Sequence, residues 1–411
     1  MLDIRLIRND PDRVRDALAR RGGDAAAAVS QVLELDERWR GITTQLEEQK
    51  AEQNRFSRGR KGAPTAEERE QMATLAARGR ELSDQETAVR GELDRLLLTL
   101  PNLPLDAAPA QDTVLYERGE AGRTGRDHLE LAGSMIDIEH AAQLSGSRFA
   151  YLRGALVLVE LALVRFVFEK LLEEGFEPVI PPVLVRERAL YGTGFLPDTE
   201  QQIYRLPDDD LYLTGTSEVA LASLHRDEIL AADSLPLRYA GFSPCFRREA
   251  GSAGKDTRGI FRVHQFDKVE MFSFVEPDRS AEEHQRLLAI EESILQDLRL
   301  PYRVVAIAVD DLGASAAMKY DCETWLPGQG QYRELTSCSN TTDFQARRLE
   351  IRYRPGEGRP TPVHTLNGTA TAVGRTLIAL LENGQREDGS VGLPEVLVKW
   401  GAPAELPPAS A

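Results

Sequence analysis

The side chains best suited to chemistry lie in the segment 246–266, which begins Phe-Arg-Arg-Glu. Arg247 and Glu249 are two residues apart, so on a strand both would point to one face of a sheet. There a guanidinium can hold a phosphate, and a carboxylate can accept a hydrogen bond from an adenine amino group. After a loop, a return strand would add Arg262 for phosphate and Phe266 as a flat surface for a purine. A lone Arg-x-Glu is usually a surface ion pair, but this strand–loop–strand cluster predicts an ATP site.

A second group of hydroxyl and carboxylate side chains suits a small ligand that carries an ammonium group. Thr216, Ser217 and Glu218 are consecutive, Glu270 closely follows the segment above, and Thr369 supplies another hydroxyl. Either glutamate alone is most simply a buried or surface acid. Together with Thr216, they offer the acceptors that an ammonium needs.

Glu334 and Ser337 form a candidate metal site because they are oxygen ligands three residues apart. A few oxygen ligands beside bound phosphates suit Mg²⁺ better than zinc, and substrate phosphates and water would complete the coordination shell. The alternative is an ordinary strand-end carboxylate. Arg375 begins a helix after small residues and can clamp a terminal phosphate, although a surface arginine is the simpler interpretation. No Cys/His ligand spacing is present, so we expect no zinc.

The elements that precede these segments are helical. A short helix should start at Asn9-Asp10-Pro11, with a capping side chain before proline. Apolar residues then recur at three- and four-residue steps over 28–58 and 66–98, with glycine and proline between the two runs. This pattern predicts an antiparallel helical hairpin, a two-stranded coiled coil. Basic residues cluster at its turn, where they form either a solvated loop or a tip that binds RNA phosphates: Arg55, Arg58, Arg60 and Lys61.

Prolines predict a linker at 101–114, which separates a domain at 1–100 from one at 115–411. In the second domain, 179–185, 261–275 and 303–309 are strand candidates, and 371–381 is a helix candidate. Consecutive strands without regular intervening helices favour an α+β fold with a mainly antiparallel sheet flanked by helices.

Composition restricts the class of protein. The net charge of −16 argues against nucleic-acid binding through diffuse basic charge, so any RNA contact requires a local patch. Three cysteines without a pairing pattern fit a reducing compartment. The apolar run 154–172 is interrupted by charges on one helix face and predicts a core helix rather than a membrane span. The N-terminus lacks the apolar segment of a signal peptide, and we expect a cytoplasmic protein.

Taken together, these motifs resemble those of bacterial seryl-tRNA synthetases, which are class II aminoacyl-tRNA synthetases. The helix before 175–182 resembles the first class II motif, which forms the dimer interface in that family. The segment 246–266 is similar to the second motif, and 367–377 is similar to the third. Gly-Thr-Gly-Phe-Leu-Pro at 192–197, Thr-Ser-Glu at 216–218 and the helical hairpin match features of the serine-specific enzymes.

The resemblance implies activation of L-serine with ATP and transfer of the serine to tRNA(Ser), and also to tRNA(Sec), by a homodimer. It implies catalytic roles for Arg247, Glu249 and Arg375. The implied ATP site comprises Arg247, Arg248, Glu249, Arg262, Val263, Phe266, Glu334, Leu335, Thr336, Ser337 and Arg375. The implied serine site comprises Thr216, Ser217, Glu218, Arg247, Glu270 and Thr369. Glu334 and Ser337 would hold Mg²⁺. Two alternatives are a serine-activating paralogue in a biosynthetic pathway and an inactive tRNA-binding regulator.

Overall fold

The chain folds into two compact units, Met1–Leu103 and Pro104–Ala411. The computed structural model describes residues 1–58, 65–197, 201–250, 254, 256 and 258–409. The predicted linker overlaps the second unit, because the Leu105 N–H donates to the Ala317 carbonyl and Ala108 is buried.

The first unit is helical. Its helices are α1 (Ile4–Asn9), α2 (Pro11–Ala19), α3 (Ala25–Arg58) and α4 (Ala66–Thr99). Asp10 caps α2 by accepting a hydrogen bond from the Arg13 N–H, and Pro11 follows it at the first helical position. Thr65 and Glu68 form a reciprocal capping box at the start of α4. The short helix predicted to start at Pro11 is therefore present.

Helices α3 and α4 pack as an antiparallel hairpin. Trp39 Nε1 donates to Glu86 at 2.5 Å, and Gln49 Nε2 donates to the Leu75 carbonyl at 3.0 Å. From Trp39 to Gln49 along α3, the contacted residue on α4 moves back from Glu86 to Leu75, so the two helices run in opposite directions. Each helix has 34 residues, or about 50 Å at 1.5 Å per residue. The predicted hairpin is confirmed.

The apolar core of the first unit forms where α1 and α2 pack against α3 and α4. Its fully buried members include Ile7, Val14, Leu18, Val29, Val32, Leu93 and Leu97. Asp36 is also buried there, and both of its oxygens accept hydrogen bonds from Arg8 at 2.6 Å. Arg40 is a further donor at 3.1 Å. Because a buried carboxylate is costly unless it is paired, this network permits Asp36 in the core.

The second unit combines sheets and helices. Its strands are β1 (Thr113–Arg118), β2 (Ile136–Asp137), β3 (Tyr151–Leu152), β4 (Glu177–Val179), β5 (Leu184–Val185), β6 (Arg205–Leu206), β7 (Leu211–Leu213), β8 (Ile229–Ala231), β9 (Leu237–Phe246), β10 (Gln265–Val275), β11 (Tyr302–Ala306), β12 (Met318–Leu326), β13 (Gln331–Asn340), β14 (Arg352–Arg354), β15 (Thr361–Pro362), β16 (His364–Ala372), β17 (Val391–Gly392) and β18 (Glu405–Leu406). Its helices are α5 (His128–Ala132), α6 (Ile138–Ser145), α7 (Ala155–Glu173), α8 (Glu187–Thr193), α9 (Glu218–Ala222), α10 (Ser280–Asp297), α11 (Phe344–Leu349), α12 (Val373–Gly384) and α13 (Glu395–Val398).

The main sheet has the strand order β1-β11-β12-β13-β16-β10-β9-β4. Its strand pairs are antiparallel except for β4 with β9, which is parallel. Helices α7, α10 and α12 contribute to the apolar core against it. The predicted α+β class and mainly antiparallel sheet are confirmed. In the described part of the chain, no helix has both the length and the apolarity needed to cross a bilayer.

Four predicted elements have different boundaries in the structure, and one of them is the strand predicted over 303–309, which ends at Ala306. The run 179–185 is split between β4 and β5, with Pro181 and Pro182 between them, and proline has no N–H for a strand ladder. The helix predicted from Thr371 starts at Val373, because Thr371 and Ala372 still pair with β10. The strand predicted from Phe261 starts at Gln265. Proline and the pairing between strands therefore set limits for these elements that local composition does not indicate.

The prediction that Arg247 and Glu249 lie on a strand is also wrong. Strand β9 ends at Phe246, and Glu249 has a φ of 50°, which lies in the left-handed region. The two side chains nevertheless reach the same cavity, because the chain turns directly after β9.

Candidate active site

A cavity of about 150 Å³, here called the polar cavity, collects side chains from β10, β13, β16 and the start of α12. Its lining residues are Phe195, Thr216, Glu218, Arg247, Glu249, Ile260, Phe261, Arg262, Val263, Phe266, Lys268, Glu270, Glu334, Leu335, Ser337, Asn367, Thr369, Ala372, Gly374 and Arg375. Strands β13, β16 and β10 are neighbours in the sheet, so residues far apart in the chain meet here. The register places Glu270 opposite Thr369.

One end of the polar cavity contains a buried hydroxyl, ammonium and carboxylate in contact. Lys268 Nζ donates to Thr216 Oγ1 at 2.7 Å and lies 2.5 Å from Glu270 Oε2. The Glu218 N–H also donates to Thr216 Oγ1, at 3.3 Å. A hydroxyl oxygen has two lone pairs, so both are used and the Thr216 hydroxyl hydrogen is left to donate. In this arrangement Thr216 can accept from a ligand ammonium only if Lys268 or the backbone N–H gives way.

Glu218 is a second buried acid in the same region. Its carboxylate accepts from Gln345 Nε2 at 2.7 Å and from Asn367 Nδ2 at 2.9 Å. Asn367 also reaches Glu270 at 3.4 Å, so it links the two acids. Burial, followed by the negative charge of Glu270, raises the pKa of Glu218 to about 7. A cationic ligand would favour the ionised form of this carboxyl.

Arg247 separates the acidic end from the aromatic wall. Its Nε donates to the Gly215 carbonyl at 3.2 Å, and its guanidinium lies 5.2 Å from the centre of the Phe266 ring. The remaining N–H groups of the guanidinium suit a carboxylate or phosphate. The ring offers a flat apolar surface beside that cation.

The other end of the polar cavity contains several arginines and acids. Arg262 pairs with Glu249 at 2.9 Å and with Asp256 at 3.5 Å. Arg333 holds Asp256 through two hydrogen bonds of 3.0 and 2.8 Å. The hydrogen bonds from Arg333 lower the pKa of Asp256, although burial opposes them. Arg375 stacks over Phe261, 4.6 Å from the ring centre.

Glu334 and Ser337 both line the cavity, as the metal-site hypothesis requires. Burial favours the neutral form of Glu334, but Arg375, Lys319 and Arg247 together lower its pKa. The Arg375 guanidinium lies 3.5 Å from its Oε2. An ionised carboxylate and a hydroxyl are donors of the kind that Mg²⁺ prefers. Among the described residues, no cluster of three or more His, Cys, Asp or Glu could hold a metal unaided.

Three predicted site residues do not line the polar cavity. Ser217 is buried and its Oγ lies 2.8 Å from Ser243 Oγ. Thr336 is buried and donates to Glu291 at 3.0 Å. The Arg248 side chain is exposed to solvent. In the hairpin, Arg55 and Arg58 are exposed in the last turn of α3, whereas Arg60 and Lys61 lie outside the described residues.

The sequence prediction omitted several residues that shape the site. Lys268 lies two residues before Glu270 on β10, so both side chains point to the same face of the sheet. This spacing can be read from the sequence. Asn367 and Gln345 come from β16 and α11, and nothing in their local sequence indicates that they meet Glu218. Arg333 is adjacent to Glu334, but its pairing with Asp256 depends on the tertiary fold.

The fold and the cavity define a class II aminoacyl-tRNA synthetase. A family model described as the tRNA synthetase class II core domain (G, H, P, S and T) matches residues 202–384. The model of the seryl-tRNA synthetase N-terminal domain matches residues 1–104.

Individual relatives identify the family more narrowly. The serine–tRNA ligase of Thermobifida fusca is 50% identical over 97% of this chain and 96% of its own. The serine–tRNA ligase of Streptomyces coelicolor is 50% identical with the same coverage. The crystal structure of seryl-tRNA synthetase from Pyrococcus horikoshii complexed with ATP has a TM-score of 0.94 at 40% identity and covers 100% of both chains. The chain belongs to the seryl-tRNA synthetase family.

Proposed function

We propose that this chain activates L-serine with ATP and transfers the serine to the 3′ end of tRNA(Ser). The observation that carries the proposal is that Arg247, Arg262 and Arg375, from separate parts of the chain, line one cavity with Glu218 and Glu270. Cations at one end suit a triphosphate, and acids at the other suit an amino acid's ammonium. ATP and AMP are bound by the Pyrococcus horikoshii and Naegleria fowleri relatives, respectively.

The first step is an in-line attack by a serine carboxylate oxygen on the α-phosphorus of ATP. The bond from that phosphorus to the bridging oxygen breaks, and pyrophosphate leaves with its electron pair. Arg247 orients the carboxylate and the α-phosphate, Arg262 and Arg375 hold the distal phosphate, Glu249 accepts from the adenine amino group, and Phe266 stacks on the base. The rate enhancement comes from positioning and charge neutralisation.

Serine is recognised by its ammonium and its hydroxyl. Glu218 and Glu270 supply negative charge for the ammonium, and Glu270 and Thr369 contact the hydroxyl. Alanine lacks the hydroxyl and would leave its contacts with Glu270 and Thr369 unmade, which supports rejection on the order of 10⁴-fold. Thr216 takes part as a donor or after Lys268 shifts, because Lys268 and the Glu218 N–H already use both of its lone pairs.

We place Mg²⁺ at Glu334 and Ser337, whose oxygens fit its preferences and leave room for phosphate and water ligands. The ion would neutralise charge on the phosphates of ATP. Ion-paired Arg375 keeps Glu334 available as a carboxylate.

We propose that residues 1–100 bind tRNA through the hairpin, that 115–411 form the catalytic domain, and that tRNA(Sec) is also charged. Exposed Arg55 and Arg58 support a phosphate contact at the turn. A location in the cytoplasm agrees with the free, buried state of Cys245, Cys322 and Cys338.

We also propose that the chain is a homodimer. A second cavity of about 450 Å³, here called the apolar cavity, is lined by residues of α6, β3 and α7. Leu144 and Leu161 line it and are 71% and 61% exposed, and Ile180 is 84% exposed on the segment after β4. Apolar surface of this kind is usually covered by a partner, and a second copy of this chain is the occupant that the family resemblance supports.

Two assays in sequence test the proposed function. ATP–pyrophosphate exchange is measured with each of the twenty amino acids, and charging of total tRNA is then measured with serine. We expect serine-dependent exchange and serylation. Exchange without charging would favour the biosynthetic paralogue, and tRNA binding without exchange would favour the inactive regulator. Arg247→Ala should abolish exchange, and near-normal exchange would contradict its role.

A further inference from the structure

His128 connects two elements of the active site from outside the polar cavity. It is the first residue of α5 and is only 5% exposed. Its Nδ1 lies 3.1 Å from Glu382 Oε1 on α12, and its Nε2 lies 3.3 Å from the backbone nitrogen of Ile260. Ile260 lines the polar cavity, so the imidazole bridges α12 and the cavity wall.

The partners of His128 determine where its proton lies. Glu382 is completely buried and also accepts from the backbone N–H groups of His128 at 3.2 Å and Gly328 at 2.8 Å. The Ile260 N–H can only donate, so Nε2 must accept. A neutral imidazole has one donor and one acceptor, so Nδ1 donates to Glu382. Only this tautomer satisfies both contacts.

Gly259, shortly before β10, lies against this imidazole. Gly259 has a φ of 84°, and a Cβ atom there would lie 2.2 Å from His128 Nε2. Glycine is therefore required both by the backbone and by the approach of the ring. Arg258, one residue earlier, pairs with Asp127, the residue before His128, at 3.1 Å.

The contact has consequences for the arginines that face the nucleotide. Arg375 and Glu382 lie seven residues apart on α12, which is about two turns. Arg262 follows Ile260 by two residues, and Phe261 between them lies under Arg375. The Glu382–His128–Ile260 chain of hydrogen bonds therefore links α12, which carries Arg375, to the segment before β10, which carries Arg262.

We infer that His128 is a positioning residue for ATP, which holds Arg262 and Arg375 at the spacing that the distal phosphates require. This inference rests on the proposed function, since it assigns those arginines to ATP. The part of the ring that matters is the acceptor at Nε2. Among the residues that the structure describes, the serine end of the cavity shares no hydrogen bond with the Glu382–His128–Ile260 chain, so serine binding should be independent of it.

A matched pair of substitutions separates the two contacts. His128→Asn keeps an N–H donor near the position of Nδ1 but removes the acceptor for Ile260. His128→Gln places an amide oxygen near the position of Nε2 and weakens the contact with Glu382. We expect His128→Asn to raise the KM for ATP in serine-dependent exchange about tenfold, the loss of one net hydrogen bond. The KM for serine should stay within about twofold, and His128→Gln should retain an ATP KM closer to that of the unmodified chain.

Several outcomes would overturn the inference: an unchanged KM for ATP in His128→Asn, equal rises for ATP and serine, or equal effects of the two substitutions. Thermal unfolding of both variants controls for general destabilisation. If His128→Asn does not fold, Gly259→Ala disturbs the same contact from the loop, and it should raise the KM for ATP without changing that for serine. Calorimetric titration of ATP into the unmodified chain and each variant separates this test from the proposed function. Loss of serine-dependent exchange in the unmodified chain would refute the function, whereas equal ATP affinity in all variants would refute the role of His128.

Discussion

At the scale of the residue, the serine end of the polar cavity depends on how buried charges are balanced. Lys268 is 6% exposed and Glu270 is 1% exposed, so neither charge has water as an adequate partner. The two side chains form an ion pair at 2.5 Å, which offsets the cost of burying both charges. No cation in the described part of the chain contacts Glu218 directly, and its carboxylate instead accepts from two amides. Hydrogen bonds from neutral amides therefore compensate the burial of Glu218, whereas an ion pair compensates that of Glu270.

Glu218 should make serine binding depend on pH. Its pKa is raised to about 7 by burial and then by Glu270, so it is protonated below that pH and loses its attraction for the ammonium. The KM for serine should therefore rise as the pH falls from about 8 to 6, while the KM for ATP changes less. Exchange kinetics across this range measure both values. Glu218→Gln should remove this pH dependence, and a profile that survives the substitution would assign the titration to another group.

Lys268→Met should raise the KM for serine about tenfold, because it leaves Glu270 without its buried ion-pair partner and removes a positive charge that lowers the pKa of Glu218. The KM for ATP should stay within about twofold. Lys268→Arg keeps the charge and should recover part of the affinity. Exchange kinetics with each substrate varied in turn measure the effect. Equal increases for serine and ATP would instead indicate a general structural defect.

At the scale of the element, the strands and helices of the site have divided roles. Strand β10 presents Lys268 and Glu270 on one face because alternate side chains point the same way. Strand β16 places Thr369 opposite Glu270. Helix α12 begins at Val373, directly after this strand. Among the described residues, the wide apolar core of the hairpin α3–α4 lies near α1 and α2. The proposed RNA contact would give the rest of its length a use.

Deletion of residues 28–98 should leave serine-dependent pyrophosphate exchange within about threefold of the full chain. The polar cavity and the main sheet belong entirely to the second unit, which has its own core. Charging of tRNA(Ser) should fall by at least about a hundredfold, because the phosphate contacts are lost. Replacement of Arg55 and Arg58 by alanine is the milder control and should weaken charging at low salt. Unchanged charging after the deletion would exclude the hairpin as the RNA contact.

At the scale of the whole molecule, the order of the sheet brings the proposed site residues together and leaves an apolar surface exposed. Strand β16 lies between β13 and β10, so residues near 334, 369 and 270 become neighbours. Helix α7 buries one face against the sheet core and exposes Leu158 and Leu161 on another. The apolar cavity shares Ile260, Val263, Phe266 and Gly374 with the polar cavity, so the proposed dimer surface adjoins the proposed nucleotide site.

Leu161→Glu should raise the dissociation constant of the homodimer at least about tenfold, because a charge would be buried against apolar surface. Sedimentation equilibrium measures the change. Leu224→Glu is a matched control, since Leu224 is 46% exposed and does not line the apolar cavity. It should leave the dimer intact. Equal dissociation of both variants, or of neither, would place the interface elsewhere.

The sequence by itself determined the features that depend on local patterning. The hairpin followed from apolar spacing with glycine and proline between the two runs, and the start of α2 followed from Asp10 and Pro11. The mainly antiparallel sheet followed from consecutive strand-like runs. Most of the residues proposed to bind ATP and serine were also identified from the motif resemblance. Each of these signals lies within a short stretch of chain, where periodicity and turn chemistry decide the structure.

Only the tertiary structure decided which polar groups become partners across the fold. The pairing of Lys268 with Thr216, of Gln345 and Asn367 with Glu218, and of His128 with Glu382 and Ile260 joins residues from separate elements. It also decided that Arg247 and Glu249 lie beyond the end of β9, and that β16 continues to Ala372. Buried polar groups must find partners wherever packing brings them together, and that packing depends on the order of the strands in the sheet rather than on neighbouring sequence.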